Sequence, residues 1–570
     1  MDITSKEATK SGSIASQFGR NFYVANLMEI FERLAWYGFF AVSSIYMTTP
    51  VEQGGVGFSN VERGAIQGII PFFLYLLPVF TGAIADQVGY KKMFLFAFII
   101  MAPGYWLLGY ARSFNEFFAA LSIVALGAAC FKPVVVGTVA MSTNENNRGL
   151  GFGIFYTMVN VGGFLGPLIA GYMRAISWDA VFMMSAAWIL LNFIPLLLWY
   201  KLSITTNKNR RITDILNDAQ TVLGNARFAL LSFGLVVIIM LIGSQFITGP
   251  FGPILLVGFV IGFMFWERRC TKEATRWWQQ RLVISQPRFA LYLLILTGFW
   301  TVYNQLFYTL PIFIRDYVDT SDLVQLINAV SPQVANFLSH LDIDAIEKLT
   351  MELLKTDLMA DTMTSYRAHL AHLKILLPMS QLESINTALR ELQTIPEETR
   401  HVQLQLFLAS LSQYRQVNPE YLINLDFAAI VLFQVAVSQC VAKKRSISVL
   451  IAGLIVTALA FVFACLSGNW LSGGALMILV IVLIALGEML TSPKSQEYVA
   501  TFAPEGAAAT YMGYYFVSMA LGFLFAGFLS GWSYDVFVIE MHKPELMWML
   551  FSGIALSTAL AFYKFDKKFS

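Results

Sequence analysis

The chain is 570 residues long, 57% hydrophobic and only 13% charged, with a mean hydropathy of +0.63. Soluble domains carry roughly a quarter of their residues as charge, so this composition excludes an ordinary water-soluble domain and places the chain in a lipid bilayer. The net charge of +2 predicts no nucleic-acid partner.

The first 20 residues are polar and lack the apolar core of a signal peptide, so insertion is expected to begin with the first spanning helix. A spanning helix takes roughly 20 apolar residues, and fourteen such stretches are predicted. The first six lie near 20–49, 60–86, 92–110, 114–142, 149–173 and 178–201. Two more, near 227–246 and 250–266, are joined by the turn TGPFGP and read as a hairpin. The seventh principal helix is expected near 289–315, and the last five near 421–441, 446–466, 474–500, 507–531 and 545–563. The expected fold is an all-α membrane protein of two six-helix bundles plus an inserted transmembrane hairpin. Its divisions are a tail (1–19), the N-terminal bundle (20–201), a linker with the hairpin (202–287), the seventh helix (288–319), an insert (320–418) and the remaining five helices with the C-terminal tail (419–570).

Basic residues follow this count. Lys91, Lys92, Arg148, Lys201, Arg268, Arg269, Lys443, Lys444, Arg445, Lys567 and Lys568 fall on one side, whereas Arg112, Arg174 and Lys543 are the main cations of the other. The positive-inside rule then predicts a multi-pass inner-membrane protein with both termini cytoplasmic. The 320–418 insert has no spanning run and sits on the opposite face. Between 322 and 415 it holds eleven acidic and seven basic residues, and stretches such as DAIEKLTMELLKTDLM predict short amphipathic helices.

An ionised side chain in hydrocarbon costs about 2.5–3.5 kcal/mol on insertion scales, so each one is a candidate for function. Glu29, Glu32 and Arg33 lie in the first helix, with Arg33 one turn from Glu29. Two carboxylates to one guanidinium leave a surplus acid that can take a proton, although the cluster also reads as a structural ion pair. Lys132 stands mid-helix in GAACFKPVVVG, and the carbonyl freed by Pro133 is expected to help hold its ammonium. Glu488 lies in ALGEMLTSPKSQEYV, where Lys494 and Glu497 are expected to pair near the helix end.

E-x-x-E-R followed by Trp36, Tyr37 and Gly38 resembles the first-helix signature of the proton-coupled oligopeptide transporter (POT) family of the major facilitator superfamily. GAIADQVGYKK (82–92), FKP (131–133), FYTMVNVGGFLGPLIAG (155–171), FW (299–300) with Gln305, and GEMLTSP (487–493) with AP (503–504) are similar to further motifs of that family, in order. The resemblance spans nearly everything but the insert, and bacterial members carry the extra hairpin.

It implies import of di- and tripeptides in symport with protons by alternating access, with the proton as coupling ion and no cofactor or metal. Glu29, Glu32, Arg33 and Lys132 would couple protons. Lys132, Tyr37, Tyr75, Asn160, Asn304, Gln305, Tyr515 and Ser518 would line the substrate site, and Glu488 would take the peptide's amino group. Trp36 stands where the family usually has another tyrosine. The family usually has an acid at the position of Asn304 and often an arginine at that of Phe40. These departures keep open a carrier of another small solute that need not couple to protons; a receptor working through the insert is a more distant alternative. A nucleophile–base pair, a phosphate loop and a metal set are not recognisable, so an enzyme is not expected.

Cys130, Cys270, Cys440 and Cys465 form no metal spacing. His369 and His372 are expected on solvated surface. The chain is expected to be a monomer, with the insert free to meet an unknown partner.

Overall fold

The computed structural model describes residues 17–144, 147–201 and 227–569, apart from interruptions within 228–248, 272–286, 468–472 and 503–507. The expected first hairpin helix and the AP motif at 503–504 fall largely or wholly outside the described residues.

Eleven described helices are long and apolar enough to cross a membrane. Eight segments make the N-terminal bundle's six passes: α1 (Arg20–Thr48), α2 (Asn60–Leu76) continued by α3 (Pro78–Val88), α4 (Tyr90–Leu108), α5 (Phe114–Met141), α6 (Arg148–Ile176), and α7 (Trp178–Leu191), which runs on into α8 (Phe193–Leu198). The hairpin contributes α9 (Phe251–Arg268), which buries only Gly252 and Phe263 and exposes Ile254, Val257, Ile261 and Phe265. A helix apolar on nearly every side is stable only against lipid.

The seventh pass is broken into α10 (Pro287–Tyr303), α11 (Gln305–Tyr308) and α12 (Leu310–Tyr317). The insert follows as α13 (Ser321–Val330), α14 (Pro332–Leu338), α15 (Ile343–Leu353), α16 (Ala360–His372), α17 (Leu382–Thr394) and α18 (Glu397–Leu411). The bundle resumes with α19 (Pro419–Ile423), α20 (Leu425–Val441), α21 (Ser446–Leu466), α22 (Gly473–Ala500), α23 (Ala508–Ser533), a π-helical turn α24 (Tyr534–Glu540) and α25 (Pro544–Phe569).

Four prolines shape the interior by one rule. A proline supplies no N–H to the carbonyl four residues back, and in a membrane that carbonyl must find another donor. Pro71 frees the carbonyl of Gln67, which accepts from Tyr308 Oη at 2.5 Å. Pro311 frees that of Phe307, which accepts from Ser44 Oγ at 2.9 Å. Pro493 frees that of Met489, which accepts from Gln434 Nε2 at 3.3 Å. Pro133 frees that of Ala129, which accepts from Thr81 Oγ1 at 2.5 Å. This last bond corrects the expectation for Lys132: the carbonyl is taken by a neighbouring threonine, which reaches it from α3.

The first two of these bonds cross between the bundles, in the half nearer the insert. Arg63 adds to them, donating from Nη1 to Tyr308 O at 2.8 Å and from Nη2 to Ser530 Oγ at 3.1 Å. Beside it, α2 and α23 touch backbone to backbone at Gly64 and Gly527, where a methyl group on either would overlap the other chain. Arg174 and Glu420 close the other flank as a buried ion pair at 2.8 Å. Arg174 is therefore no free loop cation. Counting loop charges cannot see a partner 246 residues away.

The insert has its own apolar core, with Ile346, Tyr366, Leu370, Leu389, Leu404 and Leu411 among its buried members. Its two ends are clasped where Thr320 Oγ1 donates to Gln416 Oε1 at 2.8 Å and accepts from the Val417 N–H at 2.9 Å. Gln53, from the α1–α2 loop, donates to His369 O at 3.2 Å, so the insert also touches the N-terminal half. His372 is not solvated surface, as its sequence context had suggested. It is partly buried and lies in the electrostatic field of Arg315 and Asp316.

Candidate functional site

The first-helix charges are sunk in protein. Glu29, Glu32 and Arg33 are 4%, 0% and 3% exposed. Arg33 Nε lies 3.1 Å from Glu29 Oε1 and 2.5 Å from Glu32 Oε2, and Arg33 Nη2 also contacts Glu32. One guanidinium thus serves two carboxylates, and the outer oxygens Glu29 Oε2 and Glu32 Oε1 are buried without a partner among the described residues. Gly162 of α6 makes room for this cluster, since a side chain there would strike Arg33.

Lys132 projects from α5 over the ring of Tyr75, with Nζ 4.2 Å from the ring centroid. It lies within electrostatic reach of Glu29, Glu32 and Arg33 but, among the described residues, makes no ion pair with them. Tyr75 stacks on Phe523 of α23 at 5.0 Å, so the lysine platform rests against the opposite bundle.

Tyr37 links the halves. Its ring lies 5.5 Å from the Arg33 guanidinium carbon and meets Phe427 of α20 edge-on at 5.0 Å. Across from it, Glu488 of α22 accepts a hydrogen-bonding contact from Tyr303 Oη at 2.9 Å. The same phenol lies 3.1 Å from Asp426 Oδ2. Asp426, fully buried, escaped the sequence reading. Its signal was present, an acid inside the apolar run LDFAAIVLFQ, but a carboxylate in the first turn of a helix also reads as a partner of the helix dipole. Tyr303 could not have been found by sequence, because what distinguishes it is two acids from other helices.

The remaining sequence candidates divide. Asn160 is half-buried on α6. Asn304, at the break between α10 and α11, is buried and donates to Trp300 O at 2.7 Å, within the same seventh pass. Gln305 donates to Thr301 O at 3.0 Å and Ala526 O at 3.2 Å and accepts from Thr309 Oγ1 at 2.5 Å. Ser518 donates to Tyr515 O at 2.6 Å, and Tyr515 Oη accepts from Ser495 Oγ at 3.1 Å. These four polar groups are engaged within the C-terminal half. Lys494 and Glu497 pair at 2.8 Å near the helix end, away from Glu488.

The array therefore runs from an acid-rich arginine cluster and an unpaired lysine on one bundle, through aromatic rings, to two uncompensated acids on the other. Among the described residues, no group of three or more His, Cys, Asp or Glu side chains is placed to hold a metal ion.

Comparisons with known proteins agree with this architecture. The chain is 32% identical over 155 residues to an uncharacterized transporter, YclF, of Bacillus subtilis, matching 27% of this chain and 32% of that protein. It is 31% identical over 159 residues to the peptide transporter YePEPT of Yersinia enterocolitica, covering 27% and 31%. A di-/tripeptide transporter of Lactococcus lactis is 23% identical over 294 residues, covering 49% and 57%. The chain thus spans about a third to just over half of these relatives. A crystal structure of a POT family transporter in complex with 5-aminolevulinic acid superposes with a TM-score of 0.63 at 15% identity, covering 96% of both chains. One of a peptide transporter POT in complex with sulfate gives 0.61 at 17% identity, covering 96% and 94%. The family model described as Major Facilitator Superfamily matches residues 26–338, more than half of the sequence, and the chain belongs to that superfamily.

Proposed function

We propose that this protein is a secondary transporter that imports di- and tripeptides together with protons by alternating access. The observation that carries this reading is the division of uncompensated charge: among the described residues, Lys132 stands without an ion-pair partner on the N-terminal half, and Glu488 and Asp426 stand without one on the C-terminal half. A zwitterionic peptide needs a cation for its carboxylate, an anion for its ammonium and polar groups such as Asn160 between them. The acid surplus around Arg33 supplies carboxyls able to take a proton at low cost. The contacts joining the bundles near the insert support a state closed on that side, as rocking around a central site requires.

The test is uptake of labelled dipeptides by the purified protein in proteoliposomes. An inward proton gradient should drive accumulation, and Lys132→Ala or Glu488→Gln should abolish it. Absence of uptake across a broad di- and tripeptide panel would overturn the reading.

A second reading keeps the fold and changes the cargo to another small amino-bearing solute. Asn304 favours it, because that buried amide is hydrogen-bonded within its own pass. Thermal shift against a panel of peptides and small amino acids separates the two, since a ligand of the folded state raises its apparent stability.

A further inference from the structure

Asp426 on α20 and Glu488 on α22 converge on one phenol, Tyr303 of α10, at 3.1 and 2.9 Å. A phenol has a single hydrogen and can donate only once. Its second short contact is attractive only when that carboxyl carries a proton and donates it to the phenol oxygen. With both acids ionised, one contact would set a lone pair against an anion.

The surroundings offer no other compensation. Among the described residues neither acid forms an ion pair. Asp426 is 0% exposed, and its Oδ1 is buried with no partner among those residues. The rings of Phe299 and Phe307 lie against the Tyr303 ring, and Phe427 lies against Phe307. Tyr37 of α1 and Tyr515 of α23 also lie within electrostatic reach of Glu488, and Tyr37's partner Arg33 is held by Glu29 and Glu32. A buried charge of this kind is tolerated when it is paired or neutralised.

We propose that Asp426, Tyr303 and Glu488 form a proton-binding site of the C-terminal half, in which two carboxyls share one proton across the phenol. The proposal rests on the proton-coupled reading above and names the residues that hold the coupled proton. Asp426 is the carrier that Asn304 cannot be, since an amide does not titrate in the physiological range. The proton is taken from water on the side to which the site opens and returned to water on the other, one per cycle.

Infrared spectroscopy of the full-length protein in lipid vesicles tests the site without any cargo. As pH is raised from about 5 to about 9, the wild type should keep a protonated-carboxyl band above the ordinary carboxylate range. A component of that band should vanish in the double variant Asp426→Asn/Glu488→Gln and shift in frequency in Tyr303→Phe. A band identical in wild type and double variant overturns the proposal, even if peptides are transported. Uptake gives a second measure: a pH gradient of about one unit supports about tenfold accumulation per coupled proton. In Asp426→Asn accumulation should fall toward unity, by more than any change in cargo exchange measured without a gradient accounts for. Unchanged accumulation in that variant overturns the proposal. If the wild type moves no peptide, the transport reading fails, and the infrared result alone decides the site.

Discussion

The phenol of Tyr308 donates to the carbonyl of Gln67 at 2.5 Å, the same carbonyl that Pro71 deprives of its helical donor. The C-terminal half thus grips the N-terminal half through a vacancy in the latter's own helix. Ser44 returns the grip at Phe307 O, the vacancy left by Pro311. Such bonds can be broken and remade without unwinding either helix, which suits a contact that must open during transport.

Tyr308→Phe removes one of these bonds and should favour opening at the insert end. A hydrogen bond of this kind contributes about 0.5–1.5 kcal/mol net, or roughly two- to tenfold in the population of the closed state. Distances between spin labels on α2 and α23 should show the longer population rising; an unchanged distribution would mean that the bond does not hold the halves together.

Gly527→Val puts a branched side chain where α23 meets Gly64 backbone to backbone. The two helices should be forced apart, so a cysteine pair placed across this contact should lose its cross-linking. Transport should fall to background while the purified variant remains folded.

Arg33→Leu leaves two buried carboxylates without their common cation. Breaking a buried pair in this way costs about 3–5 kcal/mol, so the melting temperature should drop well below that of the wild type. The triple variant Glu29→Gln/Glu32→Gln/Arg33→Leu should recover much of the loss. A single variant as stable as the wild type would show that the cluster is not a charge pair in the folded protein.

Docking of the insert should depend on pH through His372. Burial, followed by the nearby Arg315 charge, lowers its pKa from 6.5 to about 3, with Asp316 acting in the opposite sense and His369 and Arg174 adding to the decrease. Its neutral form is therefore the one that fits the folded protein. Below pH 6.5 the unfolded chain binds a proton that the folded chain refuses until about pH 3. Stability from this group is thus fully present above 6.5 and is lost as pH falls toward 3. Melting curves at pH 7.5 and about 5 should show a smaller difference in His372→Gln than in the wild type.

Asn304→Glu replaces a donor with a group that, when ionised, can only accept, against the carbonyl of Trp300. The carboxyl should remain protonated or cost about 1–3 kcal/mol. If proton-driven uptake is unaltered by the change, an acid at this position is irrelevant to coupling here.

Much of the molecule was legible from residue order because the bilayer is so strict a solvent. A spanning helix must satisfy its backbone within itself and apolar length reports span, so the two-bundle helical fold and the amphipathic insert could be read from one sequence. An ion inside such a span has few innocent explanations, which is why Glu29, Glu32, Arg33, Lys132 and Glu488 could be singled out by position alone. The order of residues also placed Arg33 one turn from Glu29, a distance that helical geometry dictates.

Only the tertiary structure decided how those charges are shared. Asp426 meets Glu488 because α20 and α22 bring residues 62 positions apart to one phenol on α10. The carbonyl freed by Pro133 goes to Thr81, and Arg174 goes to Glu420, because neighbouring helices supply partners before solvent or a distant side chain can. Span is set by how each segment partitions between water and lipid, a local property of sequence. Pairing is set by which faces meet when helices pack, and that depends on the whole chain at once.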